Sequence, residues 1–593
     1  MKAIDVEYHV ECLVHQHIYK VTCKIRNVTA GSLRFSMPRW IPGSYLIRHF
    51  AKNIISLNVL TPGLKLEQID TANWDIVGTA SEIELAYEIY AFDASVRGVY
   101  LDNQRGFINP SRICLQIQGK EHAGHRFILT CPKQFQDWEV ATTLPVDKVD
   151  RFGFGSYQAD GYDELIDHPI EIGKFERVSF AAAGVPHEIV MSGRFEGDVG
   201  RLAKDLEKIC THQIEFFGQP APFQKYLFIL NLVGEGYGGL EHRSSTALQA
   251  TRDCLPISGI EKQSKEYVSL LGLFSHEYFH AWNVKRIKPA CFIPYNLLEE
   301  TPTSLLWVFE GFTTYYDDLM LVRSGVISEA EYLRVMSEMM SRYIRTPGRY
   351  KQTLIGASFE AWTKFYQPDE NSPNSQISYY LKGCLAALCL DLTIRKQTQN
   401  KRSLDDVMRW LWTERGLKGI GVADKEVEQQ IIAIAGESIV PLLNQILYST
   451  ESLPLESCLG AVDLAIVLKP TPKIQKFEWD AESVVRASMG ISLIETYGRY
   501  LCQIVYNGSA AERAGLSAND ELVAINGIKV TPTSFEKIIK YLTPEQTVMV
   551  HVFRRDELLT LSLVLDPIPL QTVVLSRMHE SVESEENLKR WLG

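Results

Sequence analysis

Two histidines four residues apart, with a glutamate between them, constrain this chain more than any other feature. In L-G-L-F-S-H-E-Y-F-H-A-W, Leu271 to Trp282, a helix projects His276 and His280 from one face. Two imidazole nitrogens so placed can grip a single zinc ion with Glu277 beside it. The spacing predicts that helix. Tyr267, Leu270, Leu271, Phe274 and Tyr278 recur on one side, and Ser269, Gly272, His276, His280 and Asn283 on the other. A glycine inside a helix costs about 1 kcal/mol relative to alanine, so Gly272 implies a close approach to the backbone there. With 14 His in 593 residues, the same pattern also describes an amphipathic helix carrying two surface histidines. A third ligand separates the two readings.

The best candidate is Glu310, in T-P-T-S-L-L-W-V-F-E-G-F-T-T-Y-Y-D-D-L-M. Thr301 can cap a helix, Pro302 suits its first turn, and Ser324-Gly325 can end it. Glu310 then stands amid Leu305, Leu306, Trp307, Val308, Phe309 and Phe312. A charge in such apolar company is expensive unless it is paired or bound to a metal. Asp317, seven residues on and on the same face, either orients a ligand from behind or is a solvated charge near the helix end.

Length suggests about four domains of roughly 150 residues each. Lys and Arg number 61 against 72 Asp and Glu, a net charge of -11, and no strongly basic block invites nucleic acid or an anionic membrane. The start, M-K-A-I-D-V-E, carries charges where a signal peptide needs an apolar run, and no run of about 18 apolar residues is present to span a bilayer. The expectation is a cytoplasmic protein. The 11 Cys are scattered from Cys12 to Cys502 without a C-x-x-C pair, which fits neither a disulfide framework nor a cysteine metal site. Cys384 and Cys389 fall in an apolar helical run and read as core.

From Ala3 to about Phe180 the pattern has a period of two: Tyr19, Val21, Cys23 and Ile25, then Ile83, Leu85, Tyr87 and Ile89, then Ile113, Leu115 and Ile117. This predicts a β-sandwich-like domain over residues 1–180. Within it P-R-W-I-P-G-S-Y-L-I-R, Pro38 to Arg48, suits an ordered loop, and a structural corner is preferred to a substrate contact. Around Asp198 the period turns helical, and K-Y-L-F-I-L-N-L-V predicts a buried strand at Tyr226 to Val233. The following G-E-G-Y-G-G-L-E-H includes Gly239 and Glu241. It reads either as backbone lying open beside a ligand, with Glu241 ending an edge strand, or as a surface loop with a solvated carboxylate.

Further helices are expected after Ser328, whose pairing with Glu331 is a capping box, and after Ser403. A turn-rich section at Gln367 to Ser375 leads into a helix opened by Tyr379 and Tyr380. K-P-T-P-K-I-Q-K-F-E-W-D reads as a connector. A compact module of five short strands and one helix is expected from about Arg486 to Asp566, and the tail from Gln571 to Gly593 as one short helix or none.

Taken together, H-E-Y-F-H-A-W-N-V-K-R-I-K-P, W-V-F-E-G-F-T-T-Y-Y, N-S-Q-I-S-Y-Y-L-K-G and the Pro38 to Arg48 loop resemble the PDZ-containing glycyl aminopeptidase family of gluzincin metallopeptidases. The resemblance spans nearly the whole chain. It implies a multidomain α+β protein: an N-terminal β-sandwich-like domain (1–180), a thermolysin-like α/β plus helical catalytic domain (181–465), a PDZ-like domain (480–567) and a tail (568–593). It implies one Zn2+ held by His276, His280 and Glu310, with Glu277 as general base and Tyr380 as the donor to the oxyanion. G-L-E-H, Gly239 to His242, departs at two positions from the G-x-M-E-N segment of the related large aminopeptidases, but Glu241 still aligns with the carboxylate that receives a substrate's α-amino group. M-G-I-S-L, Met489 to Leu493, stands at the place of a PDZ carboxylate-binding loop, so peptide substrates and a peptide or C-terminal PDZ ligand are the implied partners.

The expected reaction is zinc-dependent hydrolysis of the N-terminal peptide bond, with a preference for a small first residue, Gly or Ala. The rival readings are an endopeptidase with the same zinc site and a non-catalytic adaptor acting through the PDZ-like module.

Overall fold

The computed structural model describes residues 2–28, 32–470, 485–531, 533–578 and 582–593. The chain divides into two compact units. One comprises Met1–Thr301, Tyr316–Ile327 and Met408–Asp424, the other Pro302–Tyr315, Ser328–Val407 and Lys425–Gly593. The class is the mixed, multidomain α+β arrangement expected.

The first unit opens with β structure in one seven-stranded and two four-stranded sheets. Strand Ile18–Ile25 shows why: Tyr19, Val21, Cys23 and Ile25 all face the core while the intervening residues are half-buried, the alternation that a pleated strand with one covered face requires. Ile83–Tyr90 repeats it. The strand expected through Ile113, Leu115 and Ile117 shrinks to Gln116–Ile117. Pro110 instead opens a 3-10 turn, Pro110–Arg112, whose neighbouring side chains are spent on holding a loop.

A five-stranded sheet follows in the order Glu176–Ala182, Val185–Ser192, Tyr226–Val233, Ser245–Thr251, Gly238–Glu241. Its first strand straddles residue 180, so the expected domain boundary falls inside an element of this five-stranded sheet. Tyr226–Val233 is buried along nearly its whole length between parallel neighbours, as a central parallel strand should be. Gly238–Glu241 ends the sheet, antiparallel to Ser245–Thr251. Helix Val199–Phe217 crosses over between parallel strands, its first turn capped by Asp198 accepting from Arg201 N.

Helix Lys265–Phe279 carries the histidines. Ser264 caps it by accepting from Tyr267 N at 3.0 Å. Gly272 is buried, and a Cβ there would lie 3.0 Å from Asp318 Oδ1, the close neighbour its presence in a helix implied.

In the second unit, helical structure around Glu310 starts later than expected. Thr301 and Pro302 lie outside it, and a π-helical turn, Trp307–Phe312, leads directly into helix Thr313–Arg323. Gly311 explains the distortion, since a Cβ on it would sit 2.6 Å from Gly383 Cα. The turn is therefore packed backbone to backbone on helix Tyr379–Gln397. Thr313 and Thr314 hydroxyls donate back to the Phe309 and Glu310 carbonyls at 2.7 and 2.8 Å, satisfying acceptors that the widened turn leaves open. By length and composition the stretch Ser372–Gln397 could cross a membrane, but 83% of its apolar window is buried inside the protein.

Ser328 caps its helix as expected, with its Oγ accepting from Glu331 N at 3.2 Å, while the Glu331 carboxylate accepts from Arg334 at 2.7 Å. Strands Ile491–Thr496, Arg499–Val505, Glu521–Ile525, Thr547–Arg554 and Glu557–Val564 form the C-terminal module around Phe535 and its neighbours. Asn374, in the turn-rich section, donates to Val505 O and accepts from Asn507 N. Most of the expected connector, from Thr471 onward, lies outside the described residues. The tail holds more than the short helix or nothing that its sequence suggested. Leu570–Arg577 is a strand paired with Leu464–Pro470, and Val582–Leu592 is a helix with Trp591 fully buried.

Candidate functional site

The last turn of the histidine helix holds the chemistry. His276 Nδ1 donates to Asp317 Oδ2 at 2.9 Å and His280 Nδ1 donates to the Asn283 carbonyl at 2.6 Å. A carboxylate and a carbonyl only accept, so each ring carries a proton on Nδ1, and a neutral ring so held turns a lone pair outward at Nε2. The two Nε2 atoms lie 3.0 Å apart. Two lone pairs facing each other repel unless a cation stands between them. Two nitrogen ligands at about 2.0–2.1 Å on a tetrahedral zinc are about 3.3 Å apart, so the pair fits a shared ion. Asp317 thus orients the His276 ring rather than meeting solvent. Burial pushes its carboxyl up, and the hydrogen bond from His276 opposes that. Sequence spacing raised Asp317 as one of two possibilities; nothing in the sequence marked the Asn283 carbonyl.

Glu277 and Glu241 stand beside the rings. They are 5% and 4% exposed, and with His280 they form a group whose ligand atoms lie within 4.8 Å of one another. Glu241 is the last residue of the edge strand, so the solvated-loop reading of this glutamate does not hold. The strand approaches closely because of Gly239: a Cβ there would fall onto the Glu277 carboxylate. Gly43 does the same from the Pro38 to Arg48 loop. Its φ is +94°, and a Cβ would collide with the Glu241 carboxylate. The loop expected as a corner is therefore packed over the candidate amine-binding group, a contact that no local pattern announced. Glu241 Oε1 is buried without a hydrogen-bond partner among the described residues. A carboxylate in that state is suited to a cation that arrives with the substrate.

Behind Glu241, Asp167 gathers Lys285 Nζ at 2.7 Å, His242 Nδ1 at 3.2 Å and the Arg243 backbone N–H at 3.0 Å. Burial alone would raise the Asp167 carboxyl, but Lys285, His242 and Arg243 together hold it well below the usual range. Sequence reasoning missed this network, since a lone Asp and a Lys over a hundred residues apart carry no shared signal.

In the second unit Glu310 is 2% exposed on its π-helical turn. Burial, followed by Tyr366 and the Glu310 carboxylate, raises the phenol of Tyr379 well above its usual value. The Glu310 turn and the start of helix Tyr379–Gln397 therefore face each other. Tyr380 is half-buried in the first turn of that helix, stacked on Tyr379 at 4.7 Å, with its hydroxyl 3.4 Å from that of Tyr366.

The chain matches known proteins along most of its length. Residues 7–174 match the peptidase M61 N-terminal domain, 269–386 the M61 glycyl aminopeptidase, and 505–555 a PDZ domain. It is similar to an aminopeptidase N family protein from Idiomarina loihiensis, with 38% identity over 99% of this chain and 100% of that one and a TM-score of 0.95. An M1 zinc metallopeptidase from Deinococcus radiodurans is a distant neighbour, with 13% identity over 77% of this chain and 95% of that one and a TM-score of 0.48. No curated protein matches the chain.

Proposed function

We propose, from the premise that this chain belongs to the M61 glycyl aminopeptidase family of metallopeptidases, that it is an aminopeptidase removing small first residues, Gly or Ala, from peptides. His276, His280 and Glu310 are the proposed ligands of one zinc ion. This is supported by the facing Nε2 atoms of the two histidines, 3.0 Å apart, and by the burial of the Glu310 carboxylate at 2% exposure among apolar neighbours. When bound, zinc supplies a Lewis acid and lowers the pKa of water toward about 7.

The remaining work falls to side chains. Glu277 takes the proton of the attacking water on its carboxylate and returns it to the leaving amine. The Tyr380 hydroxyl donates to the oxygen on which negative charge develops, a role in which one donor is worth about 3–4 kcal/mol. Glu241 pairs with the substrate's α-ammonium and so fixes the first residue's carbonyl at the reacting position. The buried Glu241 carboxylate, whose Oε1 has no hydrogen-bond partner among the described residues, is the single observation that favours exopeptidase action.

The test is a panel of aminoacyl anilides, free peptides and N-acetylated peptides, with and without chelator. Turnover of Gly and Ala anilides that stops on chelation and returns with zinc is expected. Equal cleavage of N-acetylated peptides would overturn the amine clamp in favour of an endopeptidase. Glu277→Gln should keep its zinc while losing at least about 1,000-fold in kcat, within the contribution of a general base to such reactions; full turnover in that variant refutes the assignment.

A further inference from the structure

Arg97 belongs to the connection after strand Ile83–Tyr90, and its guanidinium reaches the catalytic edge strand. Nη2 donates to the Gly239 carbonyl at 3.3 Å, and Nη1 lies 4.0 Å from where a Cβ of Gly238 would be. That is its one side-chain hydrogen bond among the described residues, and its Nε is buried without a partner. No carboxylate pairs with it there, although arginines elsewhere in the unit are matched to acids: Arg105 to Glu171, Arg112 to Asp93, Arg243 to Asp163 and Asp167. A half-buried guanidinium with unused donors and no acid is a cation awaiting an anion.

Its placement is built from behind. Asn109 Nδ2 donates to the carbonyls of Val96 at 3.0 Å and Gly98 at 2.8 Å, and Arg112 Nη1 donates to the Arg97 carbonyl at 3.1 Å. Three consecutive carbonyls are thus pinned by two fully buried side chains, Asn109 and Arg112. The loop is rigid where it presents Arg97, so little ordering entropy remains to oppose binding.

The edge strand supplies a ruler. Glu241 marks the α-ammonium end, and Gly239, two residues back, is where the backbone meets Glu277. Two strand residues span about 7 Å. An extended dipeptide also spans about 7 Å from its ammonium to its carboxylate. A substrate that starts at Glu241 and runs past Glu277 therefore ends beside Arg97.

We propose that Arg97 is a specificity-determining residue that binds the C-terminal carboxylate of dipeptides, making dipeptides with both termini free the preferred substrates. This rests on the aminopeptidase reading of the Glu241–Glu277 site. The experiment compares Ala-Ala and Ala-Ala-Ala with their C-terminal amides in the full-length zinc-loaded protein, and measures the same four ligands by calorimetry in Glu277→Gln, where turnover is not needed. The expected acid-to-amide ratio of kcat/KM is 10-fold or more for the dipeptide and smaller for the tripeptide, carried mainly by KM. Arg97→Gln should bring the ratio to about 1, and Arg97→Lys should leave it between the two, because a point charge replaces a fork. The calorimetric preference should follow the same series. A ratio near 1 in the unaltered protein, or one that survives in Arg97→Gln, overturns the assignment. If the unaltered protein hydrolyses neither Ala-anilide nor Ala-Ala, the aminopeptidase reading falls, and the calorimetric series still decides the role of Arg97.

Discussion

A single methyl group is enough to probe the two carboxylates at residue scale. Alanine at Gly239 puts its Cβ into the Glu277 side chain at Oε1, Cδ and Cγ at once, so the whole group must swing rather than one flexible end. Misplacement of about 1 Å in a reacting group typically costs about 100-fold. The expected outcome for Gly239→Ala is a loss of that size in kcat with the thermal midpoint little changed, read from kinetics and calorimetry on one preparation. Asp317 offers a different readout. It fixes the tautomer and aim of His276, and removing such a partner usually weakens metal binding 10–100-fold. Asp317→Ala should show that loss in a chelator competition for zinc, while Asp318→Ala, one residue along, should not match it. The histidines, Glu277 and Glu310 were legible because their chemistry repeats at helical spacing or stands out against apolar neighbours. Gly43, Asn283 and Arg97 were not. Each acts through a partner far off in sequence or through a backbone carbonyl, and neither leaves a local pattern.

At the scale of elements, the late start of the Glu310 helix has a cause that propensity could not reveal. Thr301 and Pro302 are sound capping residues, but the Gly311–Gly383 crossing claims the turn and widens it, so tertiary packing overrides the local signal. The tail misled for a similar reason. Its polar face reads as solvated, yet Trp591 Nε1 donates to the Tyr315 hydroxyl at 2.8 Å, Tyr315 donates to Asp391 Oδ2 at 2.7 Å, and Asp391 accepts from Arg395 at 3.1 Å. Arg395 closes the circuit on the Arg590 carbonyl at 2.8 Å. Two variants separate packing from hydrogen bonding here. Trp591→Ala should cost about 3–5 kcal/mol, as deletion of a fully buried aromatic does. Trp591→Phe keeps most of the ring volume and leaves Tyr315 bonded to Asp391, so its cost should be nearer 1 kcal/mol. Urea unfolding of the full chain measures both; equal losses would mean that the circuit, and not the ring, holds the helix in place.

For the whole molecule, acid stability follows from histidines kept neutral inside the first unit. Burial pushes His125 and His187 down to about 4 and His168 to about 3 from an ordinary 6.5. Each ring is held by at least one hydrogen bond: His125 Nδ1 bonds the Ala123 carbonyl at 2.9 Å, His168 Nδ1 bonds Thr143 Oγ1 at 2.8 Å, and His187 bonds the Val185 carbonyl at 2.9 Å and the Tyr278 hydroxyl at 2.8 Å. Between pH 6.5 and 4 the unfolded chain binds protons that the folded chain refuses, so stability is full above 6.5 and falls as the pH drops through that window. Three such groups give a slope of at most about 4 kcal/mol per pH unit, about 1.4 from each. Asp167 acts later. Its folded value lies below the ordinary carboxylate range, so its contribution holds above pH 3.8 and is lost only below it. None of the three histidines lies in the second unit, whose hydrogen exchange then serves as an internal reference. His168→Gln keeps a hydrogen-bonding group for Thr143 and removes the titration. It should lower the slope of unfolding free energy near pH 5 by about 1.4 kcal/mol per pH unit, measured as urea midpoints from pH 4.5 to 7. An unchanged slope would mean that His168 already takes up its proton in the folded chain, and that the acid sensitivity of this unit originates in other groups.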